Sequence, residues 1–319
     1  MRILVTGGAG FIGSHVARHL LAEGNSVVIL DDFNDFYDPS IKRANIAERA
    51  SGAEILEGDI RDVSAVSRAF ADGIDAVIHL AARAGVRPSI AEPHLYISTN
   101  IEGTLNLLEA AKRAEVRNFV FASSSSLYGV NEKVPFAEAD LIQSTISPYA
   151  MTKLAGEQIC SNFSHLYGLR TVCLRLFTVY GPGQRPDLAI HKFTKRILNG
   201  EPLEMYGDGT SERDYTYVDD IVQGIAAALR YQGPLFDIFN LGESETTSLK
   251  SLIAQIAKAA GREPVIQRLP DQAGDVPKTF ADISKARALL GYAPQVPISE
   301  GIPRFVDWFR QSGSRNPAG

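Results

Sequence analysis

Short runs rich in β-branched and other apolar residues alternate with longer segments of helical period up to about residue 180 of this chain. This alternation is typical of parallel strands joined by right-handed helical crossovers, so it predicts an α/β fold with a doubly wound Rossmann sheet. Ligands of such sheets bind at the carboxyl ends of the strands. The predicted strands are Arg2–Thr6, Ser26–Asp31, Glu54–Glu57, Asp75–His79, Asn118–Ala122 and Arg170–Arg175. The predicted helices lie near Ile12–Glu23, Val63–Phe70, Ile97–Ala114 and Tyr149–Leu166.

A second, smaller lobe is predicted from the change of pattern that follows. A chain of 319 residues exceeds the size at which one hydrophobic core usually stops growing. We expect a first lobe over residues 1–180, a mixed α/β lobe over residues 181–312 and a tail over residues 313–319, with residues from about 217 to 242 packing back on the first lobe. Helical patterns return near Ala189–Leu198, Asp219–Leu229, Leu249–Ala260 and Ile283–Leu290.

The charge of the chain limits its partners. Its 32 basic and 37 acidic residues give a formal net charge of -5, which supplies no general attraction to nucleic acid or to anionic membranes. No apolar run reaches the length of about 18 residues that a membrane span needs. Cys160 and Cys173 lie in apolar stretches and are expected to be reduced and buried. We therefore expect a cytoplasmic protein without nucleic-acid or membrane partners, in which local donors hold any anionic ligand.

A glycine loop follows the first predicted strand directly. Gly7, Gly10 and Gly13 have the GxxGxxG spacing, and a predicted helix begins within the loop. The first glycine permits a tight turn, the second lets backbone N–H groups approach a pyrophosphate, and the third allows close packing of the helix. Between a strand and a helix at the start of a Rossmann pattern, this loop predicts a dinucleotide cofactor.

The second predicted strand ends in a carboxylate that suits the ribose of such a cofactor. Asp31 lies 18 residues after Gly13, where it can accept hydrogen bonds from an adenosine ribose. Asp31 and Asp32, with no arginine at hand, would repel a 2′-phosphate, so the sequence predicts NAD rather than NADP. Further predicted cofactor contacts are Phe11, Ile12, Asp59, Ile60, Leu80, Ala81 and Ala82.

Tyr149 and Lys153 place a phenol and an ammonium four residues apart on one helical face. Free tyrosine has a pKa near 10 and is a poor base at neutral pH, but a nearby lysine and an oxidised nicotinamide both stabilise its phenolate. The pair suits a base that removes a hydroxyl proton while hydride leaves the same carbon. The serine run Ser123–Ser126 follows a predicted strand, so its hydroxyls should lie at the same edge of the sheet and bind substrate.

Two other patterns are weighed against this chemistry. His15 and His19 stand four residues apart on the first predicted helix, but they lack a partnered Glu or Cys and are expected to face solvent, so no metal site is predicted. The serine run also lacks the GxSxG pattern of serine hydrolases.

With these motifs together, the chain resembles the extended short-chain dehydrogenase/reductases, in the group of nucleotide-sugar epimerases and dehydratases. The resemblance extends from the glycine loop through the serine run and YxxxK to residues 213–220 and 274–275. It implies tightly bound NAD and a C-terminal lobe that holds the diphosphate of a UDP-sugar. The roles that it implies are the base for Tyr149, its activator and a nicotinamide-ribose ligand for Lys153, a sugar-hydroxyl partner for Ser124, a diphosphate ligand for Arg213 and a nucleotide-ribose ligand for Asp275.

The second half of the serine run distinguishes reactions within this group. Sugar-nucleotide 4,6-dehydratases, which belong to this group, typically have Thr-Asp-Glu at these positions, just before a Val-Tyr-Gly segment. UDP-glucuronate decarboxylases tend to have a glutamate just before the corresponding segment. Ser125 and Ser126 occupy those positions here. Without a carboxylate to act as acid or base, the simpler outcome is oxidation at C4, rotation of the keto-sugar and return of the hydride to its other face, which is 4-epimerisation.

Three stretches, residues 36–43, 84–89 and 177–187, most resemble UDP-glucuronate 4-epimerases. Oxidation of glucuronate at C4 creates a β-keto acid, which loses carbon dioxide if its carboxylate turns perpendicular to the ketone plane. An epimerase must therefore hold that carboxylate, and we expect Thr178, Ser126 and Arg185 to do so, with the diphosphate as the alternative ligand of Arg185. Thr178 and Gln272 also stand where glucose epimerases commonly carry Asn and Arg.

Several alternatives stay open on the sequence alone. They are 4-epimerisation of UDP-glucose or UDP-N-acetylglucosamine, decarboxylation of UDP-glucuronate, 4,6-dehydration and, from a different class, NAD sensing without catalysis. The resemblance also implies a symmetric homodimer that pairs the helices near Ile97–Ala114 and Tyr149–Leu166, both of which carry more apolar residues than one buried face needs.

Overall fold

The computed structural model describes residues 1–129, 131–270 and 276–315, and its centre is a seven-stranded parallel sheet. From edge to edge the strands are β11 (Phe236–Leu241), β6 (Arg170–Leu176), β5 (Asn118–Ser124), β4 (Ala76–His79), β1 (Arg2–Thr6), β2 (Ser26–Asp31) and β3 (Glu54–Glu57). Strand order reverses between β1 and β4, so a crevice opens there at the carboxyl edge. The predicted Rossmann class is confirmed, and each of the six predicted strands is present.

Helices cover both faces of this sheet. The helices on the two faces are α1 (Phe11–Ala22), α2 (Pro39–Arg49), α3 (Val63–Ala69), α4 (Val86–Ala91), α5 (Pro93–Ile97), a π-helical turn (Ser98–Glu102), α6 (Gly103–Arg113), α7 (Pro148–Tyr167) and α9 (Val218–Leu229). The face formed with Leu4 of β1 packs against α3, α6 and α7, whereas the face formed with Ile3 and Val5 packs against α1 and α9. Cys160 and Cys173 are buried on the first of these faces and form no disulfide.

In its described residues, the second lobe consists of three two-stranded sheets and four helices. The strand pairs are β7 (Thr178–Tyr180) with β10 (Tyr215–Tyr217), β8 (Leu203–Tyr206) with β13 (Ile266–Leu269), and β9 (Glu212–Arg213) with β12 (Thr247–Ser248). The helices are α8 (Ala189–Asn199), α10 (Leu249–Ala260), α11 (Ser284–Leu290) and α12 (Ile298–Arg315). No helix in the described ranges is long and apolar enough to cross a membrane.

The two lobes share one apolar core. The cluster that contains Ile3 and Val5 of the sheet also contains Leu252 of α10 and Phe305 of α12. Residues 218–241 return to the first lobe as α9 and the edge strand β11. The lobes therefore cannot be separated at a single point in the chain. The same apolar core supports both sides of the cleft between them.

Within the described ranges, four helices have no counterpart in the predicted elements, namely the short α4 and α5 and the longer α2 and α12. The buried residues of α2 are Lys42, Asn45 and Arg49, so this helix has no apolar stripe, although Asp38 caps it and Pro39 begins it. α12 contains Pro303 in its interior, which weakens its sequence signal. α12 also continues to Arg315, past residue 313 where a tail was expected.

The expectation that His15 faces solvent is wrong. His15 is 2% exposed, and its Nε2 lies 2.7 Å from the carbonyl oxygen of Pro182. This contact ties α1, which begins in the glycine loop, to the loop after β7. Tertiary packing thus gives His15 a structural partner that its spacing to His19 could not reveal.

A buried polar network lies beneath the serine run. Arg175 of β6 donates two hydrogen bonds to Glu157 of α7, both at 2.9 Å, and a third to the Tyr128 hydroxyl at 3.0 Å. Ser123 donates to Glu157 at 2.6 Å, and Tyr128 donates to Asn240 of β11 at 2.7 Å. The network joins the neighbouring strands β5, β6 and β11 and helix α7 to Tyr128, which closely follows the serine run.

Replacing Glu157 by Gln should destabilise the fold by about 3–5 kcal/mol, because Arg175 would keep its charge in the interior without a counter-ion. The measurement is urea unfolding at saturating NAD. Glu57→Gln, which breaks an exposed ion pair with Arg43, is the matched control and should change stability only slightly. Equal effects of the two substitutions would contradict this prediction.

Candidate active site

One cavity of about 820 Å³ runs along the carboxyl edge of the sheet and into the second lobe. Asp275 and Gln272 lie outside the described residues. The structure brings together at this cavity every other candidate: Gly7, Gly10, Phe11, Ile12, Gly13, Asp31, Asp59, Ile60, Leu80, Ala81, Ala82, Ser124, Ser125, Ser126, Tyr149, Lys153, Thr178, Arg185 and Arg213.

The glycine loop leaves room only for backbone. Gly7 has a positive φ of 69°, and a Cβ atom there would lie 2.7 Å from the backbone nitrogen of Ala81. A Cβ atom on Gly13 would lie 2.2 Å from the carbonyl oxygen of Gly7. Gly10 is the N-cap of α1 and provides no side chain, so the N–H groups of the first helical turn face the cavity unobstructed. This arrangement fits the pyrophosphate of a dinucleotide.

Asp31 stabilises the loop as well as facing the cavity. Its carboxylate accepts hydrogen bonds from the backbone of Ala9 at 3.1 Å and of Phe33 at 2.9 Å, and from Lys42 Nζ at 3.2 Å. Burial raises the pKa of Asp31, and the charge of Lys42 opposes that rise. A carboxylate has about four acceptor positions, so these bonds leave capacity for a ribose hydroxyl.

The expectation that no arginine is at hand near these carboxylates is wrong. Arg83, on the loop after β4, places Nη2 3.9 Å from Asp32, and Lys42 Nζ lies 3.6 Å from the same carboxylate. The Asn100 side chain holds the backbone of Arg83 through hydrogen bonds of 2.8 and 3.0 Å. Sequence spacing gave no signal for Arg83, because it reaches Asp32 only across the parallel sheet. Asp31 and Asp32 offset these cations, which preserves the argument for NAD.

Tyr149 lies in the first turn of α7. Ser147 caps this helix by accepting a hydrogen bond from the backbone of Ala150 at 3.1 Å, and Pro148 begins it. The positive end of the helix dipole therefore lies beside the phenol. Burial raises the pKa of Tyr149, while a hydrogen bond with Ser124 and the charge of Arg185 lower it. Burial is the largest of these effects and leaves the pKa of Tyr149 raised, and Ser124 and Arg185 reduce that rise.

Lys153 is buried one helical turn further on. Its Nζ donates to the carbonyl oxygen of Ala122 at 2.6 Å and lies 6.0 Å from the centre of the Tyr149 ring. Burial lowers the pKa of Lys153 to about 8. The ammonium of Lys153 therefore faces the Tyr149 ring, and its hydrogen bond goes to Ala122.

All four serines of the run line the cavity, but their hydroxyls have different partners. The buried Ser123 hydroxyl donates to Glu157, whereas Ser124, at the end of β5, accepts hydrogen bonds from the Ser126 hydroxyl at 2.9 Å and the Ser126 backbone at 3.2 Å. Ser125 and Ser126 begin a 3₁₀ turn (Ser125–Tyr128) that lines the cavity.

Arg185 is held by a residue that the sequence analysis missed. Its Nε and Nη2 donate to the two carboxylate oxygens of Asp187 at 3.0 and 2.9 Å, and its guanidinium lies 5.3 Å from the centre of the Phe36 ring. Asp187 follows Arg185 by two residues, and this spacing of opposite charges could have predicted the ion pair. Arg213 donates to the carbonyl oxygen of Glu212 at 2.9 Å and faces the cavity from β9.

Comparison with known proteins identifies the family. Residues 3–242 match the NAD dependent epimerase/dehydratase family. This chain belongs to that family. A probable UDP-glucuronate 4-epimerase of Rhizobium meliloti is 40% identical, and the alignment covers 99% of this chain and 98% of the relative.

Two solved structures show how closely members of the family share the fold. UDP-glucuronic acid 4-epimerase of Bacillus cereus, in complex with UDP-glucuronic acid and NAD, has a TM-score of 0.91 and 39% identity, with 98% of this chain and 100% of that chain covered. UDP-glucose 4-epimerase of Thermus thermophilus, in complex with NAD, has a TM-score of 0.89 and 37% identity, with 97% and 99% covered. The expected family, an isomerase that uses NAD, is confirmed.

Tyr149→Phe should lower the rate of sugar-nucleotide turnover by about 100- to 10,000-fold, because it removes the hydroxyl that exchanges the proton and keeps the ring. Bound NAD, quantified after denaturation of the purified protein, should stay at the level of the unaltered protein. Tyr231→Phe, which also removes one hydroxyl but lies outside the cavity, should retain full rate. A Tyr149→Phe variant with more than about a tenth of the rate would rule out this role.

Proposed function

We propose that this protein is a UDP-glucuronate 4-epimerase that interconverts UDP-glucuronate and UDP-galacturonate. The observation that carries the proposal is the position of Arg185, which lines the same cavity as Tyr149 and whose positive charge opposes the rise that burial causes in the pKa of the phenol. A guanidinium beside the base is a fitting partner for an anionic group next to the reacting carbon.

The geometry of the sugar explains the choice of carboxylate over diphosphate for Arg185. A base at Tyr149 puts the C4 hydroxyl of the sugar beside it, and the carboxylate of glucuronate is attached to the neighbouring carbon, C5. Thr178 and Ser126 line the same cavity and can donate hydroxyl hydrogen bonds to that carboxylate. Arg213, on β9 of the second lobe, lines the same cavity, and we assign the diphosphate to it.

The reaction follows from the placement of these groups. Ser124 and Tyr149 receive the C4 hydroxyl, and the phenolate of Tyr149 takes its proton while Lys153 and the helix dipole stabilise the negative charge. NAD supplies a reversible hydride acceptor for C4. After the keto-sugar rotates, the hydride would return to the opposite face of C4 while Tyr149 gives the proton back to the C4 oxygen, which restores the oxidised cofactor and the Tyr149 phenolate. Thr178, Ser126 and Arg185 hold the carboxylate near the ketone plane when C4 is oxidised, which opposes loss of carbon dioxide.

The carboxylates around the cavity support epimerisation over elimination. Among the described lining residues, these are Asp31, Asp32, Asp59 and Asp187. The first three follow β2 and β3, at the end that suits the adenosine, and Asp187 is paired with Arg185. A 4,6-dehydratase needs an additional acid and base beside the sugar, and Ser125 and Ser126 supply neither.

The fold itself does not choose the sugar, since glucuronate and glucose epimerases match this chain about equally well. Incubation with UDP-glucuronate and with UDP-glucose separately, without added NAD, should yield UDP-galacturonate from the first and much less product from the second, as identified by NMR. Preferred conversion of UDP-glucose would overturn the proposed substrate. Turnover of neither sugar would favour a sensor.

Two variants test how the carboxylate is held. Arg185→Met and Thr178→Val remove the donors with little change in volume, so both should raise the proportion of decarboxylated product formed from UDP-glucuronate. The control is Arg268→Met in β13, which does not line the cavity. An unchanged ratio of epimer to decarboxylated product in both variants would show that these donors do not hold the carboxylate.

We also propose a symmetric homodimer formed by α6 and α7, which expose Leu105, Met151 and Leu166 by 41%, 37% and 64%. Light scattering should give the mass of two chains, and Leu105→Asp with Met151→Asp should give the mass of one. Leu289→Asp on α11, where the leucine is also exposed, should remain dimeric. A monomeric unaltered protein would contradict the proposal.

A further inference from the structure

Asp187 lines the cavity and orients Arg185 within it, which an ordinary surface counter-ion would not do. Its two oxygens engage Nε and Nη2 of Arg185, so the ion pair is bidentate and fixes the plane of the guanidinium. The Arg185 side chain is only 18% exposed, and both residues line the cavity that Tyr149 faces. The Phe36 ring lies against the guanidinium and further restricts its movement.

The ion pair leaves one edge of Arg185 for a ligand. With Nε and one N–H of Nη2 committed to Asp187, an incoming carboxylate meets the edge formed by Nη1 and the second N–H of Nη2. A guanidinium whose plane is fixed on one edge presents the other edge in a single orientation. Burial acts to lower the pKa of Arg185, and the hydrogen bonds and charge of Asp187 outweigh it and raise that pKa.

The same pair has an electrostatic cost for an anionic sugar. Arg185 and Asp187 together carry no net charge, so a sugar carboxylate bound at Arg185 is repelled by Asp187 across the guanidinium. The Asp187 carboxylate and the sugar carboxylate would lie on opposite edges of one guanidinium. In a cleft where water is partly excluded, repulsion between two unit charges so placed weakens the affinity for the sugar by about threefold to tenfold. A neutral hydroxymethyl group at C5 would not experience this repulsion.

We propose that Asp187 is a specificity-determining positioning residue, which holds Arg185 so that the sugar carboxylate is kept in one orientation and which weakens the binding of that carboxylate in doing so. This inference rests on the proposed function, because it requires a carboxylate at C5. Asp187 then has two effects on catalysis. It lowers the affinity for UDP-glucuronate, and it protects the 4-keto sugar from decarboxylation, and the two effects can be measured separately.

The fate of the 4-keto sugar depends on the angle of its carboxylate. In decarboxylation the bond between C5 and the carboxylate carbon breaks, carbon dioxide leaves, and the electron pair passes into the C4 ketone as an enolate that takes a proton from water. This requires the breaking bond to stand perpendicular to the ketone plane. A fixed Arg185 opposes that rotation, whereas an Arg185 released from Asp187 can follow it.

The first measurement is binding by calorimetry, in NAD-loaded protein with Tyr149→Phe to prevent turnover. Asp187→Asn removes the charge and keeps an oxygen that can accept from Arg185. It should tighten binding of UDP-glucuronate about threefold to tenfold and leave UDP-glucose within about twofold. Asp35→Asn is the control, because Asp35 is exposed near the same end of the cavity without lining it, and it should change neither. Equal or weaker relative affinity for UDP-glucuronate in Asp187→Asn would overturn the electrostatic part.

The second measurement is product analysis with Tyr149 intact. Asp187→Ala removes both the charge and the acceptor, so it should raise the decarboxylated fraction by about tenfold or more, with Asp187→Asn between it and the unaltered protein. A fraction unchanged in Asp187→Ala would overturn the positioning part. If the unaltered protein converts UDP-glucose and not UDP-glucuronate, the proposed function fails, and the binding experiment still decides whether Asp187 opposes a carboxylate.

Discussion

Parallel pairing of seven strands is the constraint on which the rest of the molecule depends. Because neighbouring strands share one direction, the segments that follow β1, β2, β4 and β5 all emerge at one edge. Residues far apart in the chain, such as Gly7, Asp31 and Ser124, therefore line one cavity. The reversal of strand order between β1 and β4 opens the crevice, and the second lobe closes it from above through a core that is continuous with the sheet.

Paired charges recur throughout this acidic protein. Lys42 with Asp31 and Arg83 with Asp32 lie at the predicted cofactor end, Arg185 with Asp187 lies at the proposed sugar end, and Arg175 with Glu157 lies beneath the serine run. For the two pairs that are buried on both sides, Lys42 with Asp31 and Arg175 with Glu157, loss of one partner would leave an unfavourable isolated charge in the interior. The acidic partner of each cation also repels an anionic ligand that approaches the same cation. The ion pairs therefore affect ligand specificity as well as stability.

Much of the fold and most of the site could be predicted because they rest on local patterns. The strands of the sheet and the helices that carry apolar stripes follow from hydrophobic period, and the glycine loop and Tyr149-xxx-Lys153 follow from spacing. Helix α2 could not be predicted, because the residues it buries are polar. His15 and Arg83 could not be placed either, since Pro182 and Asp32 reach them only through tertiary packing.

The sequence by itself determined the fold class, the glycine loop and the spacing of Tyr149 and Lys153, since each depends on residues that are close in the chain. The tertiary structure alone decided that Arg185 and Tyr149 line one cavity, that Asp187 occupies one edge of the Arg185 guanidinium, and that the Ser123 hydroxyl binds Glu157. The physical reason is that charge, burial and side-chain direction depend on distances between elements, and those distances exist only once the sheet and the second lobe have packed together.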